Sequence, residues 1–213
     1  MQVKGIVFDL AGVITTGNSR AFLADLVQRH SLEINYELWR KLYHRASIGE
    51  ISYKEFVDSL AKSTSIYAEG LEARLAQVVS SHVRIVEGAY GVLINAQRLG
   101  LRCIILTNNI TEWIHIMETR LRLERFVPQI LVSSSMHVRK PSPKAYLMAA
   151  TAVGIAPQDL VYVGDEDEDI KGARSVGMKT IFIPGEEIFS EYCHYRIWNL
   201  REILQLPLFL SAT

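Results

Sequence analysis

Residues 5–14 read GIVFDLAGVI, and this stretch sets the fold. Residues 5–10 are apolar apart from Asp9, the pattern of a strand covered on both faces rather than one with a wet side. Four more short runs rich in Val, Ile and Leu follow downstream, at residues 103–106, 130–132, 160–163 and 180–183. Between them lie helical patterns at 89–98, 111–123, 143–153 and 170–176. Gly100, Gly154 and Gly177 stand where such helices would end. Strand alternating with helix predicts a parallel α/β sheet with right-handed crossovers, a Rossmann-like core.

The first strand is separated from the second by a different kind of sequence. Residues 16–84 contain no convincing strand pattern. They contain helix-like stretches at 20–30, 36–45, 53–62 and 69–82, and Ser52 with Glu55 forms a capping box for the third. The chain is thus expected to divide into an α/β core, residues 1–15 and 85–213, and a helical insert, residues 16–84. An insert at that point would stand over the carboxyl ends of the strands, where open α/β sheets bind ligands.

Composition narrows the function class. The chain has 213 residues, 49% hydrophobic and 22% charged, enough apolar content for a real core. Lys plus Arg and Asp plus Glu both number 23, so the net charge is zero and nothing favours nucleic acid. No apolar run approaches the roughly 20 residues of a membrane span. The N-terminus reads as the first strand rather than a signal peptide. Cys103 and Cys193 are too few for a disulfide framework, which suits a reducing, cytoplasmic setting. The six histidines show no metal-ligand spacing. Trp39 and Trp113 fit either a cleft lining or core packing, and the apolar residues 206–210 fit either a core contact or a second subunit.

The chemistry-bearing residues gather at strand ends. The first strand ends at Asp9, the second at Thr107 followed by Asn108, and the fourth at Gly164-Asp165, with Asp169 four residues on; Lys140 precedes Pro141 at the mouth of a helix. Two aspartates, a threonine, a lysine and a further aspartate on one rim suit a phosphoryl group. Asp9 can attack phosphorus as a carboxylate nucleophile. Asp165, with Asp169 directly or through water, can hold Mg²⁺ alongside Asp9. Thr107, the backbone around Asn108, and Lys140 can neutralise the transferring oxygens. Within the run Asp165–Asp169, the residues Glu166, Asp167 and Glu168 read as a solvated helix start, where carboxylates are favoured.

Together FDLAGVI (8–14), ILTNN (105–109), RKPSPKAY (139–146) and VGDEDEDIKGARSVGM (163–178) resemble the four ordered motifs of the haloacid dehalogenase-like superfamily. The insert is similar to that family's helical cap placed between motifs one and two; Gly49-Glu50-Ile51-Ser52 followed by Phe56 also resembles it. The resemblance implies a Mg²⁺-dependent phosphatase or phosphotransferase that acts on a small phosphorylated metabolite through an aspartyl phosphate on Asp9. It departs from the family at Ala11. Phosphatases of the family carry there a second aspartate that protonates the leaving group and activates water. The carbonyl of Ala11 can still meet a metal, but its methyl group cannot move a proton. The phosphonatases of the superfamily also have alanine at this position and use a cap lysine; Lys41, Lys54 and Lys62 are the cap lysines here. Leu38-Trp39-Arg40 resembles the arginine-bearing cap segment of the dehalogenases, which lack the Asp165/Asp169 pattern. A non-catalytic protein that binds a phosphorylated ligand is the remaining reading.

Overall fold

Strand β1, Gly5–Phe8, is buried at every position and lies near the middle of a six-stranded sheet. The computed structural model describes residues 3–64, 66–185 and 188–209. After β1 come four helices, α1 (Ser19–His30), α2 (Tyr36–Ser47), α3 (Tyr53–Ala61) and α4 (Ala68–His82). Then α5 (Ala89–Arg98), β2 (Arg102–Thr107), α6 (Thr111–Leu121), β3 (Ile130–Val132), the single turn α7 (Ser133–Met136) and α8 (Pro143–Val153) follow. The chain closes with β4 (Leu160–Gly164), α9 (Asp167–Ser175), β5 (Lys179–Phe182) and β6 (Tyr195–Arg196).

The sheet order is β3-β2-β1-β4-β5-β6 and each neighbouring pair is parallel. This is the Rossmann-like α/β arrangement that the alternation predicts. The order reverses direction between β1 and β4, and a reversal of that kind opens a crevice at the carboxyl ends of the two strands. Successive side chains of a strand point to opposite faces. Ile6, Phe8, Ile105, Val161 and Val163 accordingly join one core with α5, α6 and the four inserted helices. Val7, Ile104, Leu106, Leu160 and Tyr162 join the other, under α8 and α9.

Trp113 of α6 ties the insert to the sheet. It stacks on Trp39 and Tyr43 of α2, and meets Phe22 of α1 and Phe56 of α3 edge-on. Both Trp39 and Trp113 are fully buried, so they are core residues and not cleft lining. Ser52 and Glu55 make the expected capping box at the start of α3. Gly100, Gly154 and Gly177 follow α5, α8 and α9 with positive φ.

Some element bounds differ from those expected. The helix expected over 111–123 stops at Leu121, because Arg122 turns left-handed at φ 51° and a short 3-10 turn, Leu123–Arg125, follows. The last helix starts at Asp167 rather than residue 170: three acidic side chains in its first turn offset the exposed N–H groups there. β6, with only two residues, is too short to carry a periodic signal. Of the apolar C-terminal stretch, Leu206, Leu208 and Phe209 pack on the first core; Leu210 lies outside the described residues, as do Met1, Gln2 and residues 211–213 at the ends of the expected core.

Candidate active site

Asp9 follows β1 directly, and its N–H still donates to the Val163 carbonyl of β4 at 2.8 Å. The strand pairing thus plants Asp9 at the crevice. Its Oδ1 accepts from the Leu10 N–H at 2.7 Å and lies 2.7 Å from Lys140 Nζ. That same Nζ lies 2.7 Å from Oδ2 of Asp169 and donates to the Tyr162 hydroxyl at 2.9 Å. An ammonium has three N–H donors, and these three partners account for all of them. Tyr162 closes the ring by donating to Asp169 Oδ2 at 3.2 Å. Lys140 is 2% exposed, so the whole constellation is dry.

Asn108 fixes where Lys140 sits. Its side-chain Oδ1 accepts from the Lys140 N–H at 2.9 Å, and its Nδ2 donates to the Lys140 carbonyl at 3.1 Å. This reciprocal pair clamps the loop before α8 to the end of β2. The Asn108 amide is therefore spent on the scaffold, and what it can still offer a phosphoryl group is backbone.

One buried lysine serves two buried carboxylates. Burial pushes the Asp9 carboxyl up, Lys140 pulls it back, and the charge of Asp169 adds to the rise. For Lys140, burial alone would lower its pKa, but Asp169 and Asp9 together hold it above the ordinary lysine value. A site with one negative charge in excess in a dry crevice attracts a further cation.

Asp165 lies just past β4. Burial, then Asp9 and Glu166, push its carboxyl up to about 8. Its Oδ1 is buried with no hydrogen-bond partner. Gly12, at φ +79°, and Gly185 close in on its Oδ2. An orphaned carboxylate oxygen within electrostatic reach of Asp9 is a hard-oxygen donor of the kind Mg²⁺ takes. Among the described residues no three His, Cys, Asp or Glu side chains form a ligating cluster. Asp169, expected near a metal, is here engaged with Lys140 and Tyr162.

A pocket of about 160 Å³ opens over these groups, lined among others by Asp9, Ala11, Thr107, Lys140, Asp169 and Glu166. Thr107, the last residue of β2, is 2% exposed on its wall. The roof comes from α2: the Tyr43 hydroxyl donates to the Asn108 carbonyl at 2.9 Å. Arg139 reaches up to the same helix, 2.8 Å from His44 Nδ1 and 3.3 Å from Ser47 Oγ. Of the three lysines of the insert, Lys41 lines an adjoining cleft, Lys54 pairs with Asp58 one turn along α3, and Lys62 is exposed at the end of α3. Arg40 pairs with Glu37 at 3.0 Å. Sequence reading missed Tyr162, Tyr43 and Arg139. A tyrosine inside an apolar strand reads as core, and Arg139 had only its place beside Lys140 to mark it.

A sequence model described as haloacid dehalogenase-like hydrolase matches residues 6–183 of this chain. A glyceraldehyde 3-phosphate phosphatase of Pyrococcus abyssi is 28% identical over 204 residues, covering 85% of this chain and 81% of that protein. The enzyme of the same name from Pyrococcus furiosus is 32% identical over 135 residues, 59% of this chain; the match spans about half of that enzyme's length, 55%. A Bacteroides thetaiotaomicron HAD family enzyme, solved with magnesium and inorganic phosphate, superposes with a TM-score of 0.72 at 17% identity, covering 88% of this chain and 98% of that one. The L-2-haloacid dehalogenase of Xanthobacter autotrophicus superposes equally well, with a TM-score of 0.72 at 16% identity over 96% of this chain and 98% of that one. These two share the fold. Among the described residues no helix is long and apolar enough to cross a membrane.

Proposed function

The chain belongs to the haloacid dehalogenase-like hydrolase family, and from that footing we propose that it is a Mg²⁺-dependent cytoplasmic phosphatase or phosphotransferase for a small phosphorylated metabolite. Residues 1–15 and 85–213 form the catalytic core, and residues 16–84 the cap that covers it. The observation that carries this reading is the dry ring of Asp9, Lys140, Asp169 and Tyr162 beneath a pocket of about 160 Å³. The relatives named as phosphatases and the magnesium- and phosphate-bound structural neighbour support it.

Asp9 is the nucleophile. Its Oδ1 is held by Lys140 and the Leu10 amide, which leaves Oδ2 to attack phosphorus. The new bond is Oδ2–P; the bond that breaks is P–O to the leaving alcohol, which departs with the electron pair and takes a proton from solvent or from an acidic group of the substrate itself. Water then attacks the aspartyl phosphate, releasing phosphate and restoring Asp9. Thr107 and the backbone at Asn108 donate to the phosphoryl oxygens, Lys140, whose three N–H groups are engaged, bears on them through its charge, and Asp169 with Tyr162 positions the lysine. Mg²⁺ would be held by Asp9, the Ala11 carbonyl and Asp165, with Asp169 outside that set, and would supply positive charge against the transferring oxygens. Ala11 provides no proton shuttle, so turnover is slow. The test is hydrolysis of an aryl phosphate with and without Mg²⁺: the reading expects Mg²⁺-dependent release that disappears in Asp9→Asn, and release that survives this substitution overturns it.

A phosphonatase-type reaction is the second reading. Its support is Lys41, the cap lysine that lines the cleft adjoining the pocket. Borohydride trapping of a phosphonoaldehyde on Lys41 distinguishes the two.

A further inference from the structure

Beside the small pocket lies a larger cleft of about 790 Å³, and the two share Ser19, Tyr43 and Arg139 on their walls. A pocket of about 160 Å³ suits little more than a phosphoryl group and its ion, so the body of a substrate extends into the cleft. The charged residues lining the cleft are mostly basic: Arg40, Lys41, Arg45 and Arg139, with Glu37 beside Arg40. Two of these charges are already matched. Arg40 pairs with Glu37 at 3.0 Å and Arg45 with Glu50 at 3.3 Å.

The other two are not. Arg139 is held by groups that carry no negative charge, His44 Nδ1 at 2.8 Å and Ser47 Oγ at 3.3 Å. A guanidinium only donates, so His44 Nδ1 is the acceptor in this contact. Neither Arg139 nor Lys41 has a carboxylate at ion-pair distance among the described residues. Lys41 and Arg45 are also spaced i,i+4 on α2, a like-charge spacing that destabilises a helix. A chain with no net charge thus concentrates uncompensated positive charge in one cleft, next to the site where a phosphate would react.

We propose that Lys41 and Arg139 form a second anion subsite, and that the substrate is a phosphomonoester carrying another anionic group, a carboxylate or a second phosphate, at the end remote from the scissile ester. This rests on the phosphate-site reading above. Arg139, adjacent in sequence to Lys140, links the two anion positions, and Lys41 reaches the cleft from α2.

Titration calorimetry in the presence of Mg²⁺ tests it with defined probes: inorganic phosphate, glycerol 3-phosphate against 3-phosphoglycerate, and fructose 6-phosphate against fructose 1,6-bisphosphate. The first pair adds a carboxylate and the second pair a phosphate, so the two arms separate the sources of the second anion. At least one doubly anionic ligand is expected to bind about tenfold or more tightly than its partner, about 1.4 kcal/mol. That ratio collapses toward one in Lys41→Ala/Arg139→Ala and in the single Lys41→Glu, and persists in Lys54→Ala, which lies on another face. Folding of each variant is checked by circular dichroism. Equal affinities within both pairs, or a ratio that survives Lys41→Glu, overturns the subsite while binding of inorganic phosphate leaves the Asp9 site standing. If inorganic phosphate does not bind either, both readings fall.

Discussion

The carboxylate of Asp165 fills the space that a side chain on Gly12 would need: a Cβ placed there would fall 1.9 Å from Asp165 Oδ2. Gly12 also sits at φ +79°, where an L side chain is strained. Gly12→Ala therefore has two costs, the backbone strain, about 1–3 kcal/mol, and displacement of Asp165. The variant is expected to melt earlier and to lose most of the Mg²⁺-induced rise in melting temperature. A Gly12→Ala protein with an unchanged Mg²⁺ response would separate Asp165 from the metal.

Lys140→Met removes the one cation that serves Asp9 and Asp169. Breaking a buried pair by taking away one partner costs about 3–5 kcal/mol. The sign of the pH effect follows from linkage. Without the lysine, the Asp9 carboxyl, already raised by burial, loses the charge that pulls it back, so above its unfolded value the native state binds more protons than the unfolded one. Stability of the variant should then rise on acidification from about pH 7 to about pH 5, and its deficit against the parent should shrink. Urea denaturation at the two pH values measures this; a deficit independent of pH would mean that the carboxylates are not what the lysine offsets.

Ala11→Asp restores a carboxyl on the wall of the pocket, two residues from Asp9. It could protonate the leaving oxygen and later deprotonate water, a task worth about 10²–10⁴-fold. Single-turnover rates on an aryl phosphate with Mg²⁺ are expected to rise. A folded, Mg²⁺-binding variant that is no faster moves the phosphonatase-type or ligand-binding reading ahead.

Glu118, on α6, tests the electrostatics far from the site. Burial, then the neighbouring Glu124, push its carboxyl up from 4.5 to about 7. A raised acid favours the protonated native state, so its contribution is present at low pH and is lost as pH rises from 4.5 through about 7. Glu118→Gln should be the more stable protein near neutral pH, with the advantage fading toward pH 4.5. Paired thermal melts across that window check it, and an advantage that grows on acidification would reverse the assignment.

Much of the architecture was legible in the amino-acid order. Parallel strands buried on both faces are near-continuous apolar runs, so β1, β2, β3, β4 and β5 could be read without knowing their neighbours. The helices of the insert could be read from their period, and the capping box at Ser52 and Glu55 from residue types alone. Asp9, Thr107 and Asp165 could be placed on one rim because each ends or follows a strand. Other features depend on which strands lie side by side. Only with β1 next to β4 does Lys140 meet Asp9, Asp169 and Tyr162 at once, across 131, 29 and 22 residues of chain. That proximity makes Asp169 a partner of the lysine and gives a strand tyrosine a polar task. The packing of α2 on α6 through Trp113 likewise decided that Arg139 and Lys41 face one cleft. Periodicity reports which face of an element is apolar; it carries no information about which distant side chain will fill the space opposite, and charge pairing in a dry crevice is settled by that alone.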